Sequence, residues 1–387
     1  MLTSILRRAR RGPVLALALL AATFPVLASS SYLVFVGTYT GPKSKGIHVF
    51  PFDPSRGTAG APILAAEIAN PSFLALAPDG RHLYAVGELS NFQGQKAGAV
   101  SAFAVDRATG KLALLNQVSS GGDGPCHITT DPQGRSVFVA NYGGGSVAAI
   151  RIRPDGSLGD RTAFHQHQGS SVNRQRQEGP HAHGAALDAR ASLLVVPDLG
   201  LDRLMLYRWN ASTGELAAHQ PPFVGLAPGS GPRHFSFTPD RRHGVSINEL
   251  SSTLTLFAYE SRSARLNELQ TLPTLPADFH ESSTTAEVAI HPNGRFIYAS
   301  NRGHNSLAVF RVSSGGNRLE LVEIVPSGGA IPRSFAITPD GRWLWAANQD
   351  SDLLALFQVD PRTGRLTRTG TTVRVGTPVC VQFLKAN

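Results

Sequence analysis

The 387-residue sequence predicts an all-β fold, and more narrowly a seven-bladed β-propeller. Glycine (39 residues) and proline (26 residues) are frequent, while charged residues make up only 16% of the chain. This composition is typical of many short strands joined by tight turns. A Pro-Asp/Asn/Gln-Gly-Arg turn also recurs along the chain. Each turn lies in a repeat of roughly 40–50 residues, which is the length of a four-stranded propeller blade.

Six repeats can be aligned on their first two strands. The aligned segments are Pro71–Glu88, Pro125–Tyr142, Pro180–Asp198, Pro232–Glu249, Thr285–Arg302 and Pro332–Gln349. In five of the six repeats an alternating strand leads into the turn, where proline fixes φ and glycine, replaced once by Arg241, accepts a positive φ, whereas Pro180–Asp198 is degenerate. An apolar second strand follows the turn. A third strand, such as Ser306–Val312, and a weaker fourth strand complete the repeat.

The seventh blade is predicted to be split between the two ends of the chain. Pro378–Leu384 matches a first strand, and Tyr32–Thr38 matches a second strand that has no first strand before it. Gly46–Phe52 and Ile63–Ile68 supply the third and fourth strands. We expect the C-terminal strand and three N-terminal strands to close this last blade, because closure leaves no free sheet edge. The propeller domain then covers residues 29–387.

Residues 1–28 are predicted to be a secretory signal peptide. A basic start (Arg7–Arg11) precedes an apolar run (Pro13–Leu27) and the small residue Ala28. The run is shorter than the roughly 20 apolar residues of a membrane-spanning helix, so we expect cleavage and no stable membrane insertion. The protein is then exported and periplasmic, whereas a segment that is not a working signal would leave it cytoplasmic. The arginine pairs leave Sec and twin-arginine export both open.

The net charge of +9 does not indicate a nucleic-acid partner. Four of these charges belong to the arginines of the leader, and no basic tract with interleaved aromatic residues follows. The two cysteines, Cys126 and Cys380, lie in different repeats, so we expect small buried residues and no disulfide framework. We also expect the protein to be a monomer.

A polar insertion, Phe164–His183, departs from the repeat and carries four histidines. Long loops in compact folds are usually functional, and we expect this one to be a lid over the channel mouth. Its two His-x-His pairs suggest zinc, but no acidic or cysteine ligand accompanies them at a suitable spacing. We therefore predict neither a metal nor any other cofactor.

The repeat also predicts which face of the propeller carries the site. The uniform Pro-Asp-Gly turns should share one face, and the loops that enter strand one and leave strand two should share the other. After the initial proline or its equivalent, the seven blades present Ser72, Cys126, His181, Arg233, Ala286, Arg333 and Val379. After strand two they present Thr38, Glu88, Tyr142, Asp198, Glu249, Arg302 and Gln349. A concave mouth with convergent titratable groups is the expected site.

Five residues from consecutive blades are the candidate catalytic set: His181, His183, Arg233, Glu249 and Arg302. The two histidines lie two residues apart on a strand and therefore point the same way. Arg233 takes the place of His181 one blade on, and Glu249 lies at the other end of the same hairpin. Arginine can bind a carboxylate or phosphate or stabilise an oxyanion. Glu249 or a histidine could activate water or move a proton.

Simpler roles compete with these interpretations. Arg233 and Arg333 could form salt bridges with acids of neighbouring blades, and Glu249 could pair with Arg302. The candidate substrate-binding residues are His127, Asn141, His234, Asn248, Asn301, His304, Asn348 and Gln349. Four of these are asparagines that end the second strand of their blades. This recurrence favours a turn role, in which the side chain bonds the local backbone.

The chain resembles the bacterial lactonase family of seven-bladed propellers, the cycloisomerase-type 6-phosphogluconolactonases. The motifs that carry the resemblance include Phe35-Val-Gly-Thr-Tyr-Thr40, Gly124-Pro-Cys-His127, Gly179-Pro-His-Ala-His183, Gly231-Pro-Arg-His-Phe235, Asn248-Glu-Leu-Ser-Ser252, Ser300-Asn-Arg-Gly-His304 and Ala347-Asn-Gln-Asp-Ser351. The family includes bacterial lactone hydrolases and fungal enzymes that close carboxymuconate into a lactone. Its proposed active-site set of a histidine, two arginines and a glutamate falls here on His181 or His183, Arg233, Glu249 and Arg302.

The resemblance implies hydrolysis of a small sugar lactone to its aldonic acid, without a metal. Two alternatives remain: a non-catalytic binding propeller of the cell envelope, and a muconate-type lactonizing cycloisomerase. A phosphorylated sugar lactone is a cytosolic metabolite, whereas this chain carries an export signal. The sequence therefore leaves open which lactone is the substrate, whether it is phosphorylated, and which histidine acts as the acid.

Overall fold

The computed structural model describes residues 31–386 except 189, 191 and 314, and these residues form seven antiparallel sheets. The sheets are the blades of the predicted propeller, and the one helical element described is a single 3-10 turn at Gln349–Ser351. In the described part of the chain, no helix is long and apolar enough to cross a membrane. The predicted signal peptide, residues 1–28, lies outside the described residues.

Six blades each contain four consecutive strands. Blade 1 contains β5 to β8 (Leu74–Leu76, His82–Gly87, Ala99–Val105, Leu112–Ser119), and blade 2 contains β9 to β12 (Pro125–Thr130, Ser136–Asn141, Ser146–Ile152, Leu158–Gln166). Blade 3 contains β13 to β16 (Ala186–Asp188, Leu193–Asp198, Arg203–Trp209, Leu216–Gly225), and blade 4 contains β17 to β20 (Pro232–Phe237, His243–Asn248, Thr253–Glu260, Arg265–Pro273). Blade 5 contains β21 to β24 (Thr284–Ile290, Phe296–Arg302, Ser306–Val312, Leu319–Pro326), and blade 6 contains β25 to β28 (Pro332–Ile337, Trp343–Asn348, Leu353–Val359, Leu366–Arg374).

Blade 7 joins the two ends of the chain, as predicted. The C-terminal strand β29 (Pro378–Lys385) pairs antiparallel with β1 (Tyr32–Thr38), which pairs with β2 (Gly46–Asp53). The outermost position differs from the expectation, because two short strands, β3 (Thr58–Ala59) and β4 (Ile63–Glu67), both pair with β2. The predicted closure of the ring is confirmed.

The core is divided among seven hydrophobic clusters, and each lies between two neighbouring blades. Between blades 6 and 7, for example, the fully buried Trp345 packs edge-on against Phe50 and Phe52, with ring centroids 5.3 and 5.6 Å apart. Because every blade buries both of its faces, no blade has a complete core of its own. The angle between neighbouring blades is thus set by side-chain packing, and this angle determines how the first strands meet around the channel.

A β-bulge occurs near the start of the first strand in five blades. In blade 4, Pro232 pairs with Asn248 and His234 pairs with Ile247, so that Arg233 is the extra residue. A bulge interrupts the alternation of a strand and re-aims the extra side chain. This explains how the consecutive residues Arg233 and His234 both reach residues of other blades.

The structure corrects the alignment of blade 3. Ala182, not Pro180, forms a bridge with Asp198, and it therefore occupies the place of the initial proline in the other blades. The residue after it, His183, is then the equivalent of the bulged arginine of blade 4, and the equivalence expected for His181 is wrong. Pro180 resembles the initial proline of the other repeats, but it lies within the polar insertion and does not begin the strand.

The strand register also corrects the residue expected to follow the second strand in two blades, by one position in each. Leu199 rather than Asp198 follows strand two in blade 3, and Tyr39 rather than Thr38 follows it in blade 7, where Thr38 still pairs with Pro378. The corrected first-strand ring consists of Ser72, Cys126, His183, Arg233, Ala286, Arg333 and Val379. The second-strand ring consists of Tyr39, Glu88, Tyr142, Leu199, Glu249, Arg302 and Gln349.

We predict that a chain ending at Thr377 loses its cooperative thermal transition. Removal of β29 leaves the edge of β1 unpaired and exposes the apolar face that Val379 and Val381 bury. A chain ending at Lys385 is the control, because it keeps the whole strand. Thermal melts followed by circular dichroism compare the two proteins, and equal melting profiles would show that closure is dispensable.

Candidate functional site

A cavity of about 270 Å³ lies at the channel mouth that the two rings surround. The residues that line it are Glu88, Cys126, Tyr142, Arg176, His183, Glu249, Thr284, Arg302 and Arg333. Seven of these nine belong to the rings. A larger depression of about 590 Å³ lies among the repeat turns of blades 4 and 5, on the face that we expected to be structural. The ring cavity is the candidate active site because charged side chains converge there from four blades and from the insertion.

Glu249 is the centre of the charge network in this cavity and is only 3% exposed. Arg176 Nη2 donates to its Oε1 at 2.6 Å, and Arg302 Nη2 and Arg233 Nε lie 2.8 and 3.1 Å from its Oε2. Burial alone would raise the pKa of Glu249, but the charges of Arg302, Arg233 and Arg176 outweigh burial and lower this pKa to about 2. At neutral pH Glu249 is therefore a fixed anion that gathers three guanidinium groups and is a weak base.

Arg333 differs from these three arginines. It lines the cavity, and among the described residues it has no acidic partner within ion-pair distance. Its guanidinium carbon lies 5.4 Å from the ring centroid of Tyr39. Burial lowers the pKa of Arg333, but Tyr39 and Glu88 more than offset this and raise it, so the group stays charged. The salt-bridge role that the sequence allowed for Arg333 is not seen, and its charge is available to a ligand.

Glu88 is the second carboxylate of the cavity and has a different environment. It accepts hydrogen bonds from Tyr39 Oη at 3.0 Å and from Ser72 Oγ at 2.5 Å. Within the described residues, no arginine or lysine lies at ion-pair distance from it. Glu88 occupies the place of Glu249 three blades earlier, so the repeat itself could have singled it out. The surroundings of the cavity thus contain four guanidinium groups and two carboxylates, an excess of positive charge that suits an anionic ligand.

His183 lines the cavity and is 5% exposed. Its Nδ1 lies 3.5 Å from Cys126 Sγ, and in the described part of the chain no residue hydrogen-bonds its Nε2. Burial, followed by the charges of Arg233, His234 and Arg333, lowers the pKa of His183 well below its usual value. The imidazole is therefore neutral at neutral pH, and its free nitrogen can accept a proton.

Cys126 is not suited to act as the nucleophile, although it lines the cavity. Burial and the neighbouring Glu88 raise the pKa of its thiol, and only the thiolate is strongly nucleophilic. Cys126 and Cys380 are both buried and unpaired, which confirms that they are small buried residues.

His181 lies outside the cavity lining. Its ring stacks on Tyr142 with centroids 4.5 Å apart, its Nδ1 lies 3.0 Å from the Tyr142 carbonyl oxygen, and its Nε2 lies 3.2 Å from Glu178 Oε1. Both ring nitrogens thus have protein partners. The structure separates the two histidines that the sequence could not distinguish, since only His183 faces the cavity.

The polar insertion reaches the cavity through Arg176, which sequence reasoning missed. Outside the cavity the insertion is fixed to blade 3, where His167 contacts Asp198 and Tyr207, and Ser171 Oγ donates to Asp202 at 2.6 Å. These bonds fix the insertion to blade 3, and Arg176 of the same segment lines the cavity. No sequence signal distinguished Arg176, because the insertion has no equivalent in the other repeats.

The candidate substrate-binding asparagines have their side chains inside the sheets. All four are fully buried, and they bond hydroxyl or carbonyl groups of the third strand or of the connection between blades. Asn248 Nδ2, for example, donates to Thr255 Oγ1 at 2.9 Å. None of Asn141, Asn248, Asn301 and Asn348 lines the cavity. Their recurrence therefore reflects a structural role, but the expected bond to the local backbone is seen only at Asn348, whose Nδ2 donates to the Ala346 carbonyl oxygen.

The other four candidates also lie outside the cavity lining. His304 bonds Ser306 Oγ at 2.7 Å, and Gln349 bonds Asp350 Oδ1 at 3.1 Å. His127 and His234 lie deeper in the channel, where their ring centroids are 5.0 Å apart. Together with Phe73 and His183 they form a set of packed rings that we call the channel plug. The plug closes the floor of the cavity.

The fold and the site together define a seven-bladed propeller with an arginine-rich cavity of enzymatic character at its channel mouth. The chain belongs to the lactonase family of seven-bladed β-propellers, whose family model matches residues 33–383. It is 35% identical over 356 residues to a 6-phosphogluconolactonase of Bacillus subtilis, covering 92% of this chain and 99% of the relative. It is 33% identical to a 6-phosphogluconolactonase of Formosa agariphila, with 78% and 85% of the two chains covered.

A solved structure is also similar to this chain in both sequence and fold. The periplasmic gluconolactonase of Pseudomonas aeruginosa is 36% identical and superimposes with a TM-score of 0.87, covering 92% of this chain and all of the other. These comparisons confirm the predicted fold and the resemblance on which the sequence interpretation rested.

We predict that Glu249→Gln destabilises the protein at neutral pH. The pKa of Glu249 falls from 4.5 to about 2 on folding, so its charge contributes about 3 kcal/mol above pH 4.5, and this contribution is lost as pH falls toward 2. Urea unfolding should show a gap between wild type and variant at pH 7 that narrows at pH 3. Arg56→Gln, at the exposed pair with Asp53, should change stability by less than about 1 kcal/mol. A gap independent of pH would contradict this account.

Proposed function

We propose that the protein hydrolyses a small sugar lactone to its aldonic acid, and thus acts as a carboxylic ester hydrolase of the 6-phosphogluconolactonase type. Its relatives carry the names 6-phosphogluconolactonase and periplasmic gluconolactonase. The observation that supports the proposal most directly is a neutral histidine facing a cavity rich in guanidinium groups. Ester hydrolysis needs these two elements, a proton acceptor for water and positive charge for the oxyanion.

In this mechanism His183 moves one proton twice. With its own proton on Nδ1, the imidazole accepts a proton from water at Nε2, and the water oxygen attacks the lactone carbonyl carbon. The resulting oxyanion lies among the cavity arginines, of which Arg302 and Arg333 line the wall. When the intermediate collapses, the bond between the carbonyl carbon and the ring oxygen breaks. The imidazolium returns its proton to the leaving ring oxygen.

Glu249 has an organising role in this proposal. A carboxylate with a pKa of about 2 that faces three guanidinium groups is a poor proton acceptor at neutral pH. Its charge instead attracts Arg176, Arg233 and Arg302 and offsets part of their mutual repulsion. Of the two roles that the sequence allowed for Glu249 or a histidine, we assign proton transfer to His183 and charge compensation to Glu249.

We predict that His183→Gln lowers kcat for lactone hydrolysis by about 100-fold or more, as loss of a general base typically does. His181→Gln is the matched control, and it should stay within a few-fold of wild type because His181 lies outside the cavity. A pH-stat assay of signal-free protein on D-glucono-1,5-lactone measures both rates above the spontaneous background. A loss in the His181 variant and not in the His183 variant would overturn the assignment.

Arg333 bears on the choice between phosphorylated and unphosphorylated lactones. Its free charge is suited to a phosphate, because arginine binds phosphate in a bidentate manner. We expect Arg333→Gln to raise KM about tenfold for 6-phosphoglucono-1,5-lactone, the order of one charge-assisted hydrogen bond, and to change KM for the unphosphorylated lactone much less. Arg262→Gln, at an exposed surface position, is the control. An equal rise for both lactones would mean that Arg333 does not recognise the phosphate.

The same substrate panel decides between the alternatives. Ring closure of an unsaturated diacid without lactone hydrolysis would indicate the cycloisomerase, and ligand binding without turnover would indicate a binding propeller. We also propose that the protein works in the periplasm as a monomer. A periplasmic relative and the leader-like residues 1–28 support this location.

A further inference from the structure

Glu287 and His234 lie below the cavity floor and take no part in the mechanism above. We infer that they form a positioning pair, in which Glu287 fixes the tautomer of His234 and His234 in turn orients Arg233 beneath Glu249. This inference rests on the proposed lactone hydrolysis for its kinetic consequences, but its geometric content does not depend on it.

A continuous series of contacts joins the four residues. Glu287 Oε1 lies 2.8 Å from His234 Nδ1, and His234 Nε2 lies 3.2 Å from Arg233 Nη1. The same Nη1 donates to the Ala286 carbonyl oxygen at 2.7 Å. Arg233 Nε is 3.1 Å from Glu249 but makes no hydrogen bond. The direction of the Arg233 guanidinium is therefore set by Nη1, and thus by His234 and a backbone carbonyl.

The chemistry of the donors fixes the state of each group. A guanidinium can only donate, so His234 Nε2 must accept and carry no proton. The neutral imidazole then has its proton on Nδ1 and donates it to Glu287. Burial, followed by the charges of Arg233 and Arg333, lowers the pKa of His234 well below its usual value, which agrees with a neutral ring. Without an acceptor at Glu287, the proton on Nδ1 of His234 would have no partner. The tautomer that carries the proton on Nε2 would then point an N–H group at Arg233.

Glu287 is costly to bury as an anion. Burial raises its pKa to about 7, although Arg233 opposes the shift. The titratable or polar groups that face it from the packed strands are His127, Arg233, His234, Ser334 and Cys380. Because the folded pKa lies above the unfolded value, any stabilising contribution is lost as pH rises through about 7. The ionised carboxylate destabilises the fold while it serves the site, as functional groups often do.

Two substitutions of Glu287 distinguish the effect of its hydrogen-bond acceptor from the effect of its negative charge. Glu287→Gln keeps a carbonyl oxygen toward His234 but loses the charge, and Glu287→Leu removes the acceptor. Since charge-assisted hydrogen bonds are roughly twice as strong as neutral ones, kcat at pH 8 should fall about fivefold in Glu287→Gln and about fiftyfold in Glu287→Leu. KM should change little. Wild-type kcat should fall to the level of Glu287→Gln as pH drops through about 7, and the Gln variant should show no such step.

Stability and tautomer measurements distinguish positioning from a structural role. At pH 8 both variants should melt at or above the wild-type temperature, since the buried charge is gone. Nitrogen-15 NMR of the imidazole, which needs no substrate, should show the proton on Nδ1 of His234 in wild type and on Nε2 in Glu287→Leu. Asp131→Asn is the control, because Asp131 is a buried carboxylate outside the cavity that accepts hydrogen bonds from backbone amides and lies 3.9 Å from Arg135 Nε. It should lower the melting temperature and leave kcat and the tautomer unchanged.

The outcomes are separable from those of the proposed function. Wild-type kcat in Glu287→Leu, an unchanged tautomer, or an activity loss that follows a loss of melting temperature would each overturn the positioning role. A wild-type protein that hydrolyses no lactone would refute the proposed function, and the tautomer measurement would still decide whether Glu287 controls His234.

Discussion

The pairing of β1 with β29 is the constraint on which the rest of the structure depends. Each hydrophobic cluster lies between two blades, so an open ring would leave one cluster half exposed. Closure also fixes the distance at which the seven first strands meet. The bulged residues of these strands can converge on one cavity only because the ring is complete, and residues as far apart in sequence as Tyr39 and Arg333 come into contact.

Within that ring the decisive balance is electrostatic. Burying Arg233 and Arg302 next to the partly exposed Arg176 is unfavourable unless a fixed anion compensates their charges, and Glu249 is that anion. Burial, reinforced by the charges of Arg233 and Arg333, lowers the pKa of His183 and keeps its imidazole neutral. In the proposed mechanism, one set of charges serves both the oxyanion and the proton acceptor, and a negatively charged ligand would pair with Arg333.

The fold was predictable because the repeat is local. Proline-glycine turns and alternating strands recur within each blade, and even the split blade could be assembled from Pro378–Leu384 and Tyr32–Thr38. The site was predictable where it follows the repeat, as for Arg233, Glu249 and Arg302, which the structure brings together. It was not predictable at Arg176, whose position depends on how an insertion folds back. Nor could the sequence choose between His181 and His183, because that choice depends on a single bridge, between Ala182 and Asp198.

The bulges explain why the site can extend below the cavity. In a regular strand Arg233 and His234 would point to opposite sides, and only one would reach the channel. The bulge gives blade 4 two consecutive channel residues, and the bulge of blade 5 does the same for Ala286 and Glu287. The carbonyl of Ala286 and the carboxylate of Glu287 then act on the same guanidinium, one directly and one through His234. The bulges in two neighbouring strands therefore supply the groups that orient the Arg233 guanidinium, without any added loop or domain.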